Sequence, residues 1–169
     1  VDPGACPPEF VRHIKKSGMT VKAVLLTHGH FDHIMGLDGF LKEFPVPVYV
    51  CEEERELIEN AQLNSSLGML GQAYSFSGAE YIRDGDVLFP AGIRVHVILT
   101  PGHTAGGCCY YLPEERVLFS GDTLFHASIG RTDLPTGSSS QLVRSVREKL
   151  FILPDDTKVY PGHMDETTI

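Results

Sequence analysis

Four side chains that can bind a first-row metal lie within six consecutive positions of this chain. They are His28, His30, Asp32 and His33, and imidazole and carboxylate groups suit zinc, iron or manganese. Residues two apart in an extended segment project to the same side, so we expect His28, His30 and Asp32 to share one side. His33 has the opposite parity and must point elsewhere. The segment therefore predicts ligands for two neighbouring metal positions.

Three further candidate ligands occur later in the chain, each directly after a glycine that follows a β-branched or aromatic run. They are His103, Asp122 and His163. Glycine allows the backbone angles of a tight turn, so the pattern is typical of a ligand presented at the end of a strand. A lone histidine or aspartate after a glycine is usually an ordinary turn residue. Together with the first segment, however, these residues make seven ligands, enough for two metals that share a bridge.

Short strands and amphipathic helices are expected to position these ligands. Helices are predicted at residues 7–18, 37–44, 52–63 and 141–150, and strands at 21–26, 46–50, 87–89, 93–99, 108–112, 117–120 and 158–160. Turns of hairpin length between several strands indicate largely antiparallel pairing. His96 lies inside a predicted strand and is excluded as a ligand. Residues 64–78 mix loop formers with large apolar side chains, which predicts either a satellite core or a wall of a substrate pocket.

Composition and charge limit the classes of function. The 169 residues are sufficient for one domain with a sizeable core. The formal net charge of −8 disfavours a nucleic-acid partner, because such proteins usually carry a basic face. No apolar run approaches the ~18 residues of a membrane helix. The four cysteines show no disulfide-framework spacing, which predicts reduced thiols and a cytoplasmic location.

The ordered motifs H-x-H-x-D-H, G-H-T, G-D and G-H resemble the signature of the metallo-β-lactamase superfamily. The segments 130–135 (GRTDLP) and 160–163 (YPGH) resemble its glyoxalase II-like branch of small hydrolases. The resemblance spans residues 1–169 as a single domain. It implies an α/β fold of the α+β type, a four-layer αββα sandwich of two mixed, largely antiparallel sheets with helices outside. It also implies that the natural chain has further strands before Val1 and a short tail after Ile169.

The resemblance assigns roles to the candidate ligands. It implies that one metal is bound by His28, His30 and His103, a second by Asp32, His33 and His163, and that Asp122 bridges the two. Two divalent ions, zinc with iron or manganese as alternatives, would share a hydroxide that attacks the carbonyl of a small-molecule thioester or ester.

In this scheme Asp32 and Asp122 are the catalytic carboxylates. Arg131 is a candidate partner for a substrate carboxylate, and the alternative is a structural pair with Asp133. Relatives with a full glutathione site carry a different segment after the bridging aspartate, which leaves the thiol part of the substrate open. The oligomeric state is open as well.

Other activities compete with thioester hydrolysis. The GRTD segment also resembles the persulfide dioxygenases, whose single iron would be held by His28, His103 and Asp122, the two-histidine, one-carboxylate set of oxygen-activating iron. Gly162 favours the hydrolases, since the dioxygenases more often have alanine there. A lactonase is a weaker alternative. A β-lactamase is disfavoured because Asp122 stands where cysteine is typical in those enzymes. A non-catalytic binding module is disfavoured as well, because it would be expected to have lost ligands and none is missing here.

Overall fold

The helices of the protein are short, and a computed structural model describes them together with all residues 1–169. They are α1 (Pro8–Ser17), α2 (Phe31–Ile34), α3 (Leu37–Glu43), α4 (Arg55–Ile58), α5 (Ser66–Leu70) and α6 (Ser139–Ser145). Helix α1 begins with a proline in its first turn and ends at Gly18, whose φ of 72° is the left-handed conformation that favours glycine. No helix combines the length and apolar character needed to cross a membrane.

Eleven strands form two main sheets and one hairpin. The smaller sheet has the order β1 (Val24–Leu25), β2 (Val48–Cys51), β3 (Glu80–Ile82). The larger sheet has the order β11 (Thr167–Thr168), β10 (Lys158–Pro161), β7 (Val117–Gly121), β6 (Cys108–Leu112), β5 (Val95–Leu99), β4 (Val87–Leu88). The hairpin pairs β8 (Leu124–Phe125) with β9 (Ser128–Ile129).

Pairing direction differs between the two sheets. In the larger sheet only β7 and β10 pair in parallel, and the other pairs are antiparallel as expected. In the smaller sheet both pairs are parallel, contrary to the expectation. Its strands are linked by helical segments, and such crossovers, unlike hairpins, bring strands together in the same direction.

Three buried clusters separate four layers of structure. The first packs helices α1 to α4 against one face of the smaller sheet, through residues such as Ile14, Phe40 and Val50. The second fills the space between the sheets, where Leu25 and Tyr110 belong to opposite layers. The third joins the larger sheet to the π-helical turn that continues α6. The predicted αββα sandwich is therefore confirmed.

Several predicted elements differ in detail. The helix expected at 52–63 is a 310 turn, Glu52–Glu54, followed by α4, and it ends at Ile58. Strands β3, β8, β9 and β11 were not predicted, since each has only two or three residues and no clear alternation. The chain after His30 is not extended, because α2 begins at Phe31, so the assumed common side for His30 and Asp32 is wrong.

The cysteines are free thiols, as predicted. Cys108 and Cys109 lie on opposite faces of β6, one in the core between the sheets and the other in the core beneath α6.

Candidate metal centre and active site

The seven candidate ligands converge on one edge of the sandwich. His28 and His30 follow β1, Asp32 and His33 lie on α2, and His103 lies in the loop between β5 and β6. Asp122 and His163 follow the neighbouring parallel strands β7 and β10, in which Gly121 is paired with Pro161. Parallel strands end at the same edge, so this pairing places the last two ligands side by side.

The first ligand group is buried. It consists of His28, His30 and His103, whose potential ligand atoms lie within 4.8 Å of one another. His30 Nδ1 is 2.9 Å from His103 Nε2, and all three residues are buried. The chemistry of this group, three imidazoles with neighbouring nitrogen atoms, suits zinc, copper, iron or nickel.

The second group is more open to solvent. It consists of Asp32, His33 and His163, and His163 Nε2 lies 3.2 Å from Asp32 Oδ2 and 3.4 Å from His33 Nε2. His33 is buried, but the side chains of Asp32 and His163 are 39% and 48% exposed.

Asp122 connects the two groups. Its Oδ1 lies 3.4 Å from His33 Nε2, and its Oδ2 lies 3.6 Å from His103 Nε2 and 3.5 Å from His163 Nε2. Gly162 permits this approach, because a Cβ there would collide with Asp122 Oδ1 and the His33 ring. A single carboxylate therefore faces both groups at once.

Unsatisfied polar atoms test whether a metal fits these residues. His28 Nε2, His30 Nε2 and Asp122 Oδ1 are buried and have no hydrogen-bond partner. A buried polar atom without a partner costs free energy, and here three such atoms belong to candidate ligands. Divalent cations among the ligands would satisfy His28 Nε2 and Asp122 Oδ1, so the residues present fit a metal centre. His30 faces His103 through Nδ1, so its own Nε2 points away from that position.

Burial and neighbouring charges set the protonation state of the candidate ligand histidines. Burial, followed by the charges of neighbouring histidines, lowers the pKa of His28 well below its ordinary value and that of His30 to about 3, so both rings are neutral and keep a free lone pair. Burial disfavours the charged form of His33, but the carboxylates of Asp122 and Asp2 outweigh burial and raise its pKa to about 10. Metal binding at the second group must therefore displace a proton from His33.

A second layer of contacts orients the ligand rings. Asp2 Oδ2 lies 3.1 Å from His33 Nδ1 and accepts a hydrogen bond from Thr27 Oγ1 at 2.7 Å. Thr27 Oγ1 in turn is 3.1 Å from His28 Nδ1, and His103 Nδ1 is 2.7 Å from the carbonyl oxygen of Arg131. Each partner directs the opposite nitrogen of its ring toward the centre. Sequence reasoning missed Asp2, because nothing separates it from an ordinary turn aspartate before Pro-Gly.

A cavity of about 430 Å³ opens onto the ligands. It is lined by five of the candidate ligands together with side chains from α2, α5, the β8–β9 hairpin and the loops after β9 and β10. The apolar ones are Phe31, Met69, Phe125, Ile129, Leu134 and Met164. Both interpretations of segment 64–78 apply in part, since Ser65 and Met69 line the cavity while Tyr74 and Phe76 pack in the core.

Arg131 lies in the cavity wall and also pairs with Asp133. Its Nε and Nη2 donate to the two carboxylate oxygens of Asp133 at 2.7 Å each. The side chains are 54% and 67% exposed, so the pair is a surface ion pair of small net stability. Arg131 thus lies in the cavity wall, and its present partner is the structural alternative named above.

Two further polar side chains of the larger sheet, His96 and Tyr110, lie away from the ligands. His96 is in β5, opposite Tyr111, and belongs to none of the ligand groups. Tyr110 is fully buried and donates its hydroxyl to the Leu26 carbonyl oxygen at 2.7 Å, which makes it a packing residue.

The family model described as the metallo-beta-lactamase superfamily matches residues 1–163. The chain belongs to the metallo-β-lactamase superfamily. It is 38% identical to the probable metallo-hydrolase YqgX of Bacillus subtilis, covering 99% of this chain and 80% of that one. It is 32% identical to the hydroxyacylglutathione hydrolase GloC of Haemophilus influenzae, covering 100% and 81%.

Solved structures similar to this chain belong to proteins that are named differently from one another. The crystal structure of BLEG-1, a B3 metallo-beta-lactamase, has a TM-score of 0.93 at 38% identity and covers 99% of this chain and 81% of that one. TTHA1623 in a di-iron-bound form has a TM-score of 0.87 at 34% identity, covering 99% and 82%. ETHE1 from Myxococcus xanthus has a TM-score of 0.74 at 29% identity, covering 95% and 63%. Likeness alone therefore identifies a metal-dependent, hydrolase-like enzyme and leaves the substrate and the metal open.

Proposed function

We propose that this chain is a metal-dependent hydrolase of thioesters or esters, acting most like a hydroxyacylglutathione hydrolase on an acylated small thiol. The observation that carries the proposal is the position of Asp122, whose carboxylate faces histidines of both ligand groups in the wall of the cavity. That arrangement suits two metals sharing one water. The 32% identity to GloC supports the choice of a thioester.

The ligand groups define where metals would be held. One divalent ion would lie with His28, His30 and His103 and a second with the group of His33, with Asp122 contacting both. We propose zinc, with iron as the alternative because one similar structure is in a di-iron-bound form. Two such ions supply Lewis acidity toward a carbonyl oxygen and acidify a water so that it can act as a nucleophile at neutral pH.

The protein's own groups bind and orient the reactants. Asp2, Thr27 and the Arg131 carbonyl fix the ligand rings through hydrogen bonds. The apolar side chains of the cavity, Phe125 and Leu134 among them, exclude water around a substrate carbonyl. Arg131 can turn from exposed Asp133 to a substrate carboxylate at little cost, because a surface ion pair is weak.

The persulfide dioxygenase alternative also has an observation in its favour. His28, His33 and Asp122 form one candidate ligand group. His103 Nε2 lies 3.6 Å from Asp122 Oδ2, and the ring centroids of His28 and His103 are 4.8 Å apart, so His28, His103 and Asp122 would suit a single iron held by two histidines and one carboxylate. The likeness to ETHE1 is compatible with this alternative, at lower identity than the relative with a hydrolase name.

We further propose a small-molecule substrate rather than a nucleic acid, since the net charge is −8. A cytoplasmic location is proposed from the four free thiols.

The test is one set of assays on a single preparation of known metal content. We expect hydrolysis of S-lactoylglutathione or of another acylated thiol, with no oxygen uptake when glutathione persulfide is supplied. A lactone and a chromogenic β-lactam are the comparison substrates, the latter because of the likeness to BLEG-1. Oxygen uptake without thioester cleavage, or β-lactam turnover above thioester turnover, would contradict the proposal.

A further inference from the structure

A buried carboxylate lies beneath the first ligand group and bonds to the backbone of its loops rather than to the ligand side chains. Glu54 ends the 310 turn that follows β2 and is 0% exposed. Its sequence context, three successive glutamates, gives no sign that this one is buried while Glu53 is exposed. Burying a carboxylate is costly unless hydrogen bonds compensate for the lost water.

The partners of Glu54 come from the two loops that carry the first ligand group. Its Oε2 accepts a hydrogen bond from the backbone N–H of Gly29 at 2.8 Å, and its Oε1 accepts one from the N–H of Gly106 at 2.8 Å. Gly29 lies between His28 and His30, and Gly106 lies three residues after His103. One side chain thus connects segments that are 25 and 52 residues away from it.

Close packing around Gly29 and Gly106 leaves little room for either loop to shift relative to Glu54. A Cβ at Gly29 would crowd the side chains of Leu57 and Ile58 on α4, and a Cβ at Gly106 would collide with the backbone of Glu53 and Glu54. The His103 loop therefore rests directly on the turn that holds Glu54, and the His28–His30 loop rests on α4, which follows that turn. Hydrogen bonds from backbone N–H groups to a carboxylate are stronger than neutral ones, so they limit how far either loop can move.

We propose that Glu54 is a positioning residue for the first metal, holding the His28–His30 loop and the His103 loop at the spacing that three-imidazole coordination requires. The inference rests on the metal centre of the proposed function but not on the reaction catalysed. No comparable link joins Glu54 to the second group, whose Asp32 and His33 lie on α2. Removing the link should therefore weaken one metal position selectively.

The test variant is Glu54→Gln, which keeps the side chain's size but leaves one oxygen acceptor for two N–H donors. Glu53→Gln is the matched control, because it removes the same charge from the neighbouring exposed residue. Zn²⁺ affinity would be measured by competition with a chromophoric chelator, and Co²⁺ absorption would report the coordination at each position. His103→Ala and His163→Ala supply reference spectra for loss of the first and second position.

We expect Glu54→Gln to lower affinity at the first position about 10–100-fold, as changes behind a metal ligand typically do. Its Co²⁺ spectrum should resemble that of His103→Ala rather than His163→Ala, and Glu53→Gln should match wild type. In the metal-free protein, the amides of Gly29 and Gly106 should exchange faster in Glu54→Gln while those of β6 and β7 stay protected.

Three outcomes would overturn the inference. Wild-type affinity at both positions in a folded Glu54→Gln protein would show that the link is not needed. Equal weakening of both positions would indicate general destabilisation. If Glu54→Gln did not fold, Glu54→Asp would replace it, since it keeps the charge but shortens the side chain. Unchanged metal affinity at the first position in Glu54→Asp would then overturn the inference. Because the readout is metal binding, a wrong substrate assignment would leave these results intact.

Discussion

Replacing Asp122 by asparagine is the sharpest single perturbation of the centre. The carboxylate faces His33, His103 and His163 at 3.4–3.6 Å, so the substitution alters a ligand of both groups while preserving side-chain shape. Substitutions one layer behind a metal ligand already cost about 10–100-fold in affinity or activity. We therefore expect at least about 100-fold loss of turnover, which corresponds to about 2.8 kcal/mol.

The assay combines metal content after dialysis with thioester turnover under matched conditions. Asp122→Asn should retain fewer than two metals, and its metal-free form should have the wild-type circular dichroism, since Asp122 belongs to none of the three core clusters. Asp133→Asn is the control, as it removes an exposed carboxylate near the cavity. Asp122→Asn with two retained metals and turnover close to wild type would refute the bridging role.

Three further predictions concern the surroundings of the ligands. Asp2→Asn should lower metal affinity at the second position about 10–100-fold, because Asp2 lies 3.1 Å from His33 Nδ1; an unchanged chelator titration would contradict this. Arg131→Ala should raise KM for anionic substrates more than it lowers kcat; unchanged kinetics with a slightly lower Tm, matched by Asp133→Asn, would mean that the pair is only structural. Stepwise chelation should remove the second metal first, since Asp32 and His163 are 39% and 48% exposed while the first group is buried; a Co²⁺ spectrum that loses the first position earlier would be contrary to this expectation.

Much of the ligand set could be read from the sequence because histidine and aspartate after glycine at strand ends form a rare pattern. The structure brings all seven predicted ligands to one edge. The prediction that strand parity divides the ligands is wrong for Asp32. Helix α2 begins at Phe31, and this helical turn separates Asp32 and His33 from His30. The four-layer fold came from the family resemblance, and the parallel direction of the smaller sheet was not foreseen.

The supporting contacts could not be predicted, because each depends on segments distant in the chain. Glu54 meets Gly106 across 52 residues, and Asp2 meets His33 across 31. Local patterns of hydrophobicity and turn chemistry report only on near neighbours in sequence. The same limit applies to the cavity wall, where Met69 and Ile129 come together from different loops, and to the partner of Arg131, for which both alternatives were compatible with the sequence.

Metal positions in a crystal of the metal-loaded protein would test the central claim most directly. Anomalous diffraction recorded at the edge of the bound metal should show two peaks, one beside His28, His30 and His103 and the other beside His33 and His163, with Asp122 contacting both. A single peak at full occupancy, or metal bound away from Asp122, would contradict the account of a two-metal hydrolase.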